Sequence, residues 1–230
     1  MTIDADFAEL KQRLKTIEDL DGAQKVLVWD QATYMPPGGA EARGRQLGLL
    51  SSLGHERLTD RAIPRLLDSV TGWAEAQGAD SDEAALVRVT RRDYDRATRV
   101  PSSFVVRLAE HTAATYAAWQ RARPANDFAM VRPLLETTVQ LSRELAAFYP
   151  GGEHAFDPLI DRAEEGMTVR AVRSLFADLR PNLVTLLGAI RGRPEPDDRC
   201  LTGDFPEAAQ RAFGETVARA FGYDFTRGRA

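Results

Sequence analysis

An all-α fold follows from three observations. Apolar residues recur at three- and four-residue steps in one segment after another, which is the spacing of a single helix face. The interruptions between those segments are short and rich in Pro, Gly and Asp. Nowhere do four or more residues alternate cleanly with β-branched enrichment, so no strand is predicted.

The first helix carries Ile3, Phe7, Leu10, Leu14, Ile17 and Leu20 on one face and continues through Ala23 and Leu27 toward Trp29. The run VLVWDQATYMPPGGAEARGRQ, residues 26–46, breaks over the five residues Met35 to Gly39 and restarts with Leu47, Leu50 and Leu53. So short a break suits two antiparallel helices. Thr59 or Asp60 can cap a third helix bearing Ile63, Leu66, Leu67, Val70 and Trp73. Gln77 to Asp80 is a turn, and Ser81, with Asp82 and Glu83 behind it, starts a fourth helix running to Val100. Pro101-Ser102-Ser103 stops that helix and caps a fifth, which carries Leu108, Thr112, Tyr116 and Trp119 to about Arg123. RPANDF, 123–128, reads as a loop, Met130 to Tyr149 as a helix, and YPGGEHAFDPLID, 149–161, as irregular. Helices follow near 168–191 and 205–221, parted by the loop RGRPEPDDRC. The expectation is one all-helical domain over 1–230, with a hairpin region at 1–78 and a helical body at 79–230.

Composition narrows the function. Hydrophobic residues are 43%, charged residues 28% and the net charge is −4, a soluble globular balance. A net-acidic chain without a basic stripe strong enough to displace counterions is not expected to bind nucleic acid. No apolar run approaches the ~20 residues of a membrane span, so no membrane partner is expected. The start, MTIDADFAEL, lacks the basic and apolar regions of a leader. The single cysteine, Cys200, cannot form an internal disulfide, and a reduced, cytoplasmic protein is expected.

The candidate chemistry is sparse. GHERLTD, 54–60, begins like the zinc motif H-E-x-x-H, but the second histidine would fall on Thr59. His111 and His154 have no histidine within helical reach, and no second thiol exists. No metal site is therefore expected, and the histidines read as surface or capping residues. Glu164-Glu165 and Asp197-Asp198 read as solvated acids at helix starts or in loops. Arg88, Arg92, Arg96 and Arg99 fall along one helix face interleaved with Asp93 and Asp95, and are expected to form a solvated face with local ion pairs. There is no phosphate-cradling glycine loop and no G-x-S-x-G elbow. No residue is nominated as catalytic.

The opening hairpin reads as a joint. Counting outward from the break, Asp30 and Arg43 lie at comparable depth on facing helices. A charge pair there, shielded by Trp29, would fix the register of the hairpin. Burial makes such a pair costly to break rather than strongly stabilising. The structural set is Trp29, Asp30, Gln31, Thr33, Met35, Pro36, Gly39, Arg43 and Gln46, and structural use is favoured over substrate contact.

These residues also carry a resemblance. DLDGAQKVLVWDQATYMPPGGAEARGRQLGLLSSLGHERLTD, RRDYDRATRVPSSFV, WQRARPANDFAMVRPLLETTVQLSRE, FDPLIDRAEEGMTVRAVRSLFADL and QRAFGETVARAFGYDFTRGR, in that order, resemble the N-terminal region of the M32 zinc carboxypeptidases, the carboxypeptidase Taq group. Glu165 departs from the family, which usually has proline there. The resemblance implies an all-helical, zincin-like groove protein whose N-terminal helices, here the lid-like hairpin region, wall and lid the groove. It also implies zinc-dependent hydrolysis of C-terminal peptide bonds in the complete enzyme, commonly as a homodimer. The family's H-E-x-x-H helix and later glutamate ligand lie beyond the segment matched here, so no ligand or general base transfers to a residue of this chain. The expectation is a truncated carboxypeptidase-like protein, holding no cofactor of its own and without peptidase activity alone. One half of a split enzyme completed by a complementary C-terminal half, or an interaction module, are the alternatives. A homodimer burying Leu175, Phe176, Leu183 or Phe213 is also expected.

Overall fold

The long periodic segments are helices. The computed structural model describes residues 2–194 and 196–228. Among these the α-helices are α1 (Ile3–Thr33), α2 (Ala40–Leu58), α3 (Ala62–Ala76), α4 (Asp82–Ala97), α5 (Ser102–Ala125), α6 (Arg132–Ala147), α7 (Asp157–Ala163), α8 (Val169–Arg191) and α9 (Glu207–Ala220). No strand occurs among the described residues.

Local chemistry sets the boundaries. Thr2 caps α1 by accepting from the Ala5 amide, and Asp4 and Asp6 favour the dipole of its first turn. At 31 residues the helix is about 46 Å long at 1.5 Å per residue. Thr59 and Asp60 divide the capping role between two helices. The Thr59 amide and hydroxyl both donate to the His55 carbonyl and close α2. Asp60 accepts from the Ala62 amide at 2.7 Å and opens α3. Ser81 caps α4 through the Ala84 amide.

Four local expectations are corrected. Helix α4 ends at Ala97, short of Val100. Pro101 is the residue before α5 and supplies no side-chain cap, so Ser102 and Ser103 lie inside the helix. Helix α6 starts at Arg132, because Phe128–Met130 forms a 3-10 turn capped by Asp127. Within the stretch expected to be irregular, Asp157–Ala163 is a helix of seven residues, started by Pro158 in its first turn.

By contacts the chain divides into two units, residues 1–172 and 173–230, with the boundary inside α8. In the first unit α2 packs along α5, α1 along α2, and α3 against both α1 and α4. Gly44 and Gly48 face α5 where α2 packs along it. A Cβ at Gly48 would lie 3.4 Å from side chains of Val106 and Glu110. The main core joins Leu10 of α1 to Ile63, Leu66, Leu67, Val70 and Ala74 of α3 and Val87 of α4. A second cluster packs Val100 and Phe104 against Leu141, with Phe148 edge-on to Phe104. These burials, each roughly 1.5–3 kcal/mol for a large aliphatic or aromatic side chain, hold the helices that carry the hairpin and the cleft described below.

The second unit is different. No residue of α8 or α9 is buried. Leu175, Phe176, Leu183, Leu187 and Ile190 lie along α8 with about half of their surface open, and Phe213 of α9 is 70% exposed.

Candidate functional site

Two places in the first unit gather polar side chains. One is the α1–α2 hairpin. Helix α1 ends because the Tyr34 and Met35 amides both fold back to the Asp30 carbonyl and Pro36 cannot continue the ladder. The Thr33 hydroxyl donates to the Trp29 carbonyl at 2.7 Å and tightens the same turn. A 3-10 turn over Pro37–Gly39 follows, closed by the Gly39 amide on the Pro36 carbonyl. A Cβ at Gly39 would stand 3.1 Å from the Met35 side chain, which packs over it.

Arg43, whose side chain is 10% exposed, reaches across the hairpin in three directions. It donates to the Asp30 carboxylate at 2.5 Å, to the Gln46 side-chain carbonyl at 3.3 Å and to the backbone carbonyl of Leu27. Next to it Gln31 is buried and donates to the Ala113 carbonyl of α5 at 3.3 Å. The hairpin is thus tied both to itself and to α5. Trp29 does not shield the pair as expected. It is 43% exposed and meets Tyr34 edge-on, because its position on α1 turns outward while Asp30 and Gln31 turn inward.

The other place is an open cleft of about 680 Å³ between α4 and the segment 149–170. Here the arginine stripe departs from the expected local pairing. Arg92 keeps one local bond, to Asp93, but also reaches Glu165, and Arg96 donates to the Asp161 carboxylate at 2.5 Å. These partners lie 73 and 65 residues away in sequence, out of reach of any helical spacing rule. The Tyr149 hydroxyl donates to the Arg96 carbonyl at 3.0 Å and fixes the lower end of the wall.

Asp157 organises the opposite wall. Its carboxylate accepts from the Val169 amide at 2.8 Å and the His154 amide at 3.0 Å, bracing the start of α8. The Val169 bond, helped by that from His154, holds this carboxyl below its ordinary 3.8 against the opposing effect of desolvation. A depressed folded value makes the contribution whole above about 3.8 and lost as pH falls through the folded value. The amide resonance of Val169 should therefore titrate with a midpoint below 3.8. A midpoint at or above that value would show that the brace gives no stabilisation.

The histidines are dispersed. His55 on α2 is half-buried, and desolvation lowers its pKa against a hydrogen bond to the Val100 backbone. His111 on α5 meets the Thr138 hydroxyl at 2.8 Å, and His154 accepts from the Phe156 amide at 3.0 Å. Cys200 is exposed. Among the described residues no three His, Cys, Asp or Glu side chains converge as a metal ion requires, so the donor set does not fit zinc. The Thr138 hydroxyl at the His111 ring also donates to the Leu134 carbonyl at 3.0 Å, and the Thr115 hydroxyl stands 3.3 Å from the same ring. Sequence reasoning missed Gly44, Gly48 and Asp157, whose roles depend on contacts across helices.

Known proteins show where such an arrangement belongs. The family model described as Carboxypeptidase Taq (M32) metallopeptidase matches residues 9–230. Thermostable carboxypeptidase 1 of Thermus thermophilus is 34% identical over 100% of this chain and 47% of its own length. The crystal structure of the M32 carboxypeptidase from Deinococcus radiodurans R1 is 39% identical with a TM-score of 0.75, covering 98% of this chain and 45% of that one. The BsuCP crystal structure, 25% identical, superimposes with a TM-score of 0.88 over 98% of this chain and 45% of its own. The chain spans about half the length of the curated relatives it matches. With family model, relatives and helical architecture in agreement from end to end, the chain belongs to the carboxypeptidase Taq (M32) metallopeptidase family.

Proposed function

We propose that these 230 residues are the non-catalytic N-terminal half of an M32-type metallocarboxypeptidase, a helical wall and lid for a peptide-binding groove. The observation that carries this reading is the match itself, which takes in all of this chain but 47% of the Thermus thermophilus relative. Metal-assisted hydrolysis requires a Lewis acid and an activated water. The 230 residues contain no H-E-x-x-H, and their three histidines do not converge. Zinc, in this reading, belongs to the other half. The single exposed Cys200 fits a reduced, cytoplasmic setting.

The hydrolysis of an N-blocked dipeptide by the purified chain with added zinc tests the reading. Release of the C-terminal residue should stay at the rate of a protein-free blank. Zinc-dependent release abolished by a chelator would overturn it.

A second reading, completion by a separate chain bearing the zinc motif, is favoured by the second unit. Helices α8 and α9 have no buried residue and present large, half-exposed apolar side chains, the kind of surface that marks an interface. Alone, the chain is proposed to cover that surface with a second copy of itself.

A further inference from the structure

The cleft between α4 and the segment 149–170 gathers arginines, three of which, Arg88, Arg99 and Arg162, form no ion pair among the described residues. Seven arginines and four carboxylates line it, and Arg91 and Arg92 pair with Asp68, Asp93 and Glu165 just outside the lining. No lysine contributes. Arginine presents a planar fork of donors that grips oxyanions in pairs, whereas a lysine offers a single point of charge.

Partner by partner, the unpaired arginines fall together. Among the carboxylates, Asp157 is engaged by backbone amides, Asp161 by Arg96, and Glu153 by Arg170 at 3.0 Å. That leaves Asp95 to answer Arg88, Arg99 and Arg162. Among the described residues Arg88 bonds only to the Ala79 carbonyl, at 3.3 Å. The Arg99 guanidinium stands 6.0 Å from the centre of the Tyr149 ring, with no carboxylate on it. Arg162 has no partner among the described residues. Even Arg96 keeps donors free, since both of its bonds to Asp161 use Nη2. Asp161 holds the Arg96 side chain in place, while Arg99 and Arg162 become ordered as the ligand binds, at a cost in side-chain entropy.

We propose that this cleft binds a small molecule bearing a phosphate or pyrophosphate group, with Arg96, Arg99 and Arg162 on the anion. Its volume of about 680 Å³ is that of a small-molecule site. Tyr149, Pro158 and Met167 supply apolar surface beside the charge for the uncharged body of such a ligand. A solvated arginine face would scatter its cations over open surface. Here they line one concavity, facing a segment braced by Asp157.

Calorimetric titration of the full chain with pyrophosphate, and separately with a nucleoside diphosphate, at fixed ionic strength tests this. Saturable one-to-one binding is expected for both. Equal affinities identify the free oxyanion as ligand, and tighter binding of the nucleotide adds its body to the recognition. The double variant Arg99→Gln with Arg162→Gln should bind at least about tenfold more weakly. Both side chains are exposed, so its circular dichroism and thermal midpoint should match the parent. Arg121→Gln, which removes one charge from α5 outside the cleft, should change nothing. The proposal is overturned if neither ligand binds better than chloride, if the double variant binds as the parent does, or if Arg121→Gln weakens binding equally.

Discussion

Arg43→Ala should destabilise the chain by about 2–4 kcal/mol, the largest effect of any single change in the hairpin. The arginine is 10% exposed at its side chain and holds three acceptors from three different turns of the hairpin. Removing it leaves the Leu27 carbonyl and the Asp30 carboxylate without their shared donor. The loss stays toward the lower end for a charge pair because the Asp30 side chain is 36% exposed and water rehydrates it. Asp30→Ala should cost about 1–3 kcal/mol, since Arg43 keeps the Leu27 and Gln46 carbonyls as acceptors. The two changes should be non-additive, because each removes the same bond. Urea unfolding of the two single variants and the double variant measures this. A loss below about 0.5 kcal/mol for Arg43→Ala would put its side chain among ordinary surface substitutions and remove the register-fixing role.

The chain should also be a homodimer in solution, at about twice its 25.4 kDa mass. Among the described residues of the second unit none is buried. Leu175, Phe176, Leu183 and Phe213 are between 45% and 70% exposed, on helices with no buried residue at all. Monomers seldom leave so extended an apolar surface to water, and two-fold pairing is the commonest way to cover it. Leu183→Glu, which places a charge in the middle of α8, should return the mass to that of a monomer without altering helix content. Light scattering on parent and variant reads the effect directly. A parent that remains at 25.4 kDa at high concentration, without binding an apolar dye, would refute the pairing.

What could be read in the sequence was whatever repeats within a helix turn. Leu10, Leu66, Leu67 and Val70 announce their buried faces by spacing alone, and all four are core. Counting outward from the Pro-Gly break is enough to place Asp30 opposite Arg43, because an antiparallel hairpin fixes depth by residue number. Helix α7 escaped because seven residues are too few to show a 3.6-residue period. Trp29 misled because bulk suggests burial, while its neighbours Asp30 and Gln31 hold the inward positions. The arginine stripe was visible, but most of its partners were not. Arg92 to Glu165 and Arg96 to Asp161 are tertiary contacts, and only a folded chain brings α4 to the 149–170 segment. The same holds for Gly48, whose smallness matters only once Val106 and Glu110 lie against it.

Zinc chemistry is proposed to lie outside these 230 residues. His55, His111 and His154 sit on separate elements, each with its own hydrogen-bond partner, and Cys200 lies exposed in the other unit. Elemental analysis of the purified chain, equilibrated with zinc and then dialysed extensively, tests this most directly. The account predicts far less than one zinc per chain, because a tight site needs three or four converging ligands. About one firmly held zinc per chain would contradict it.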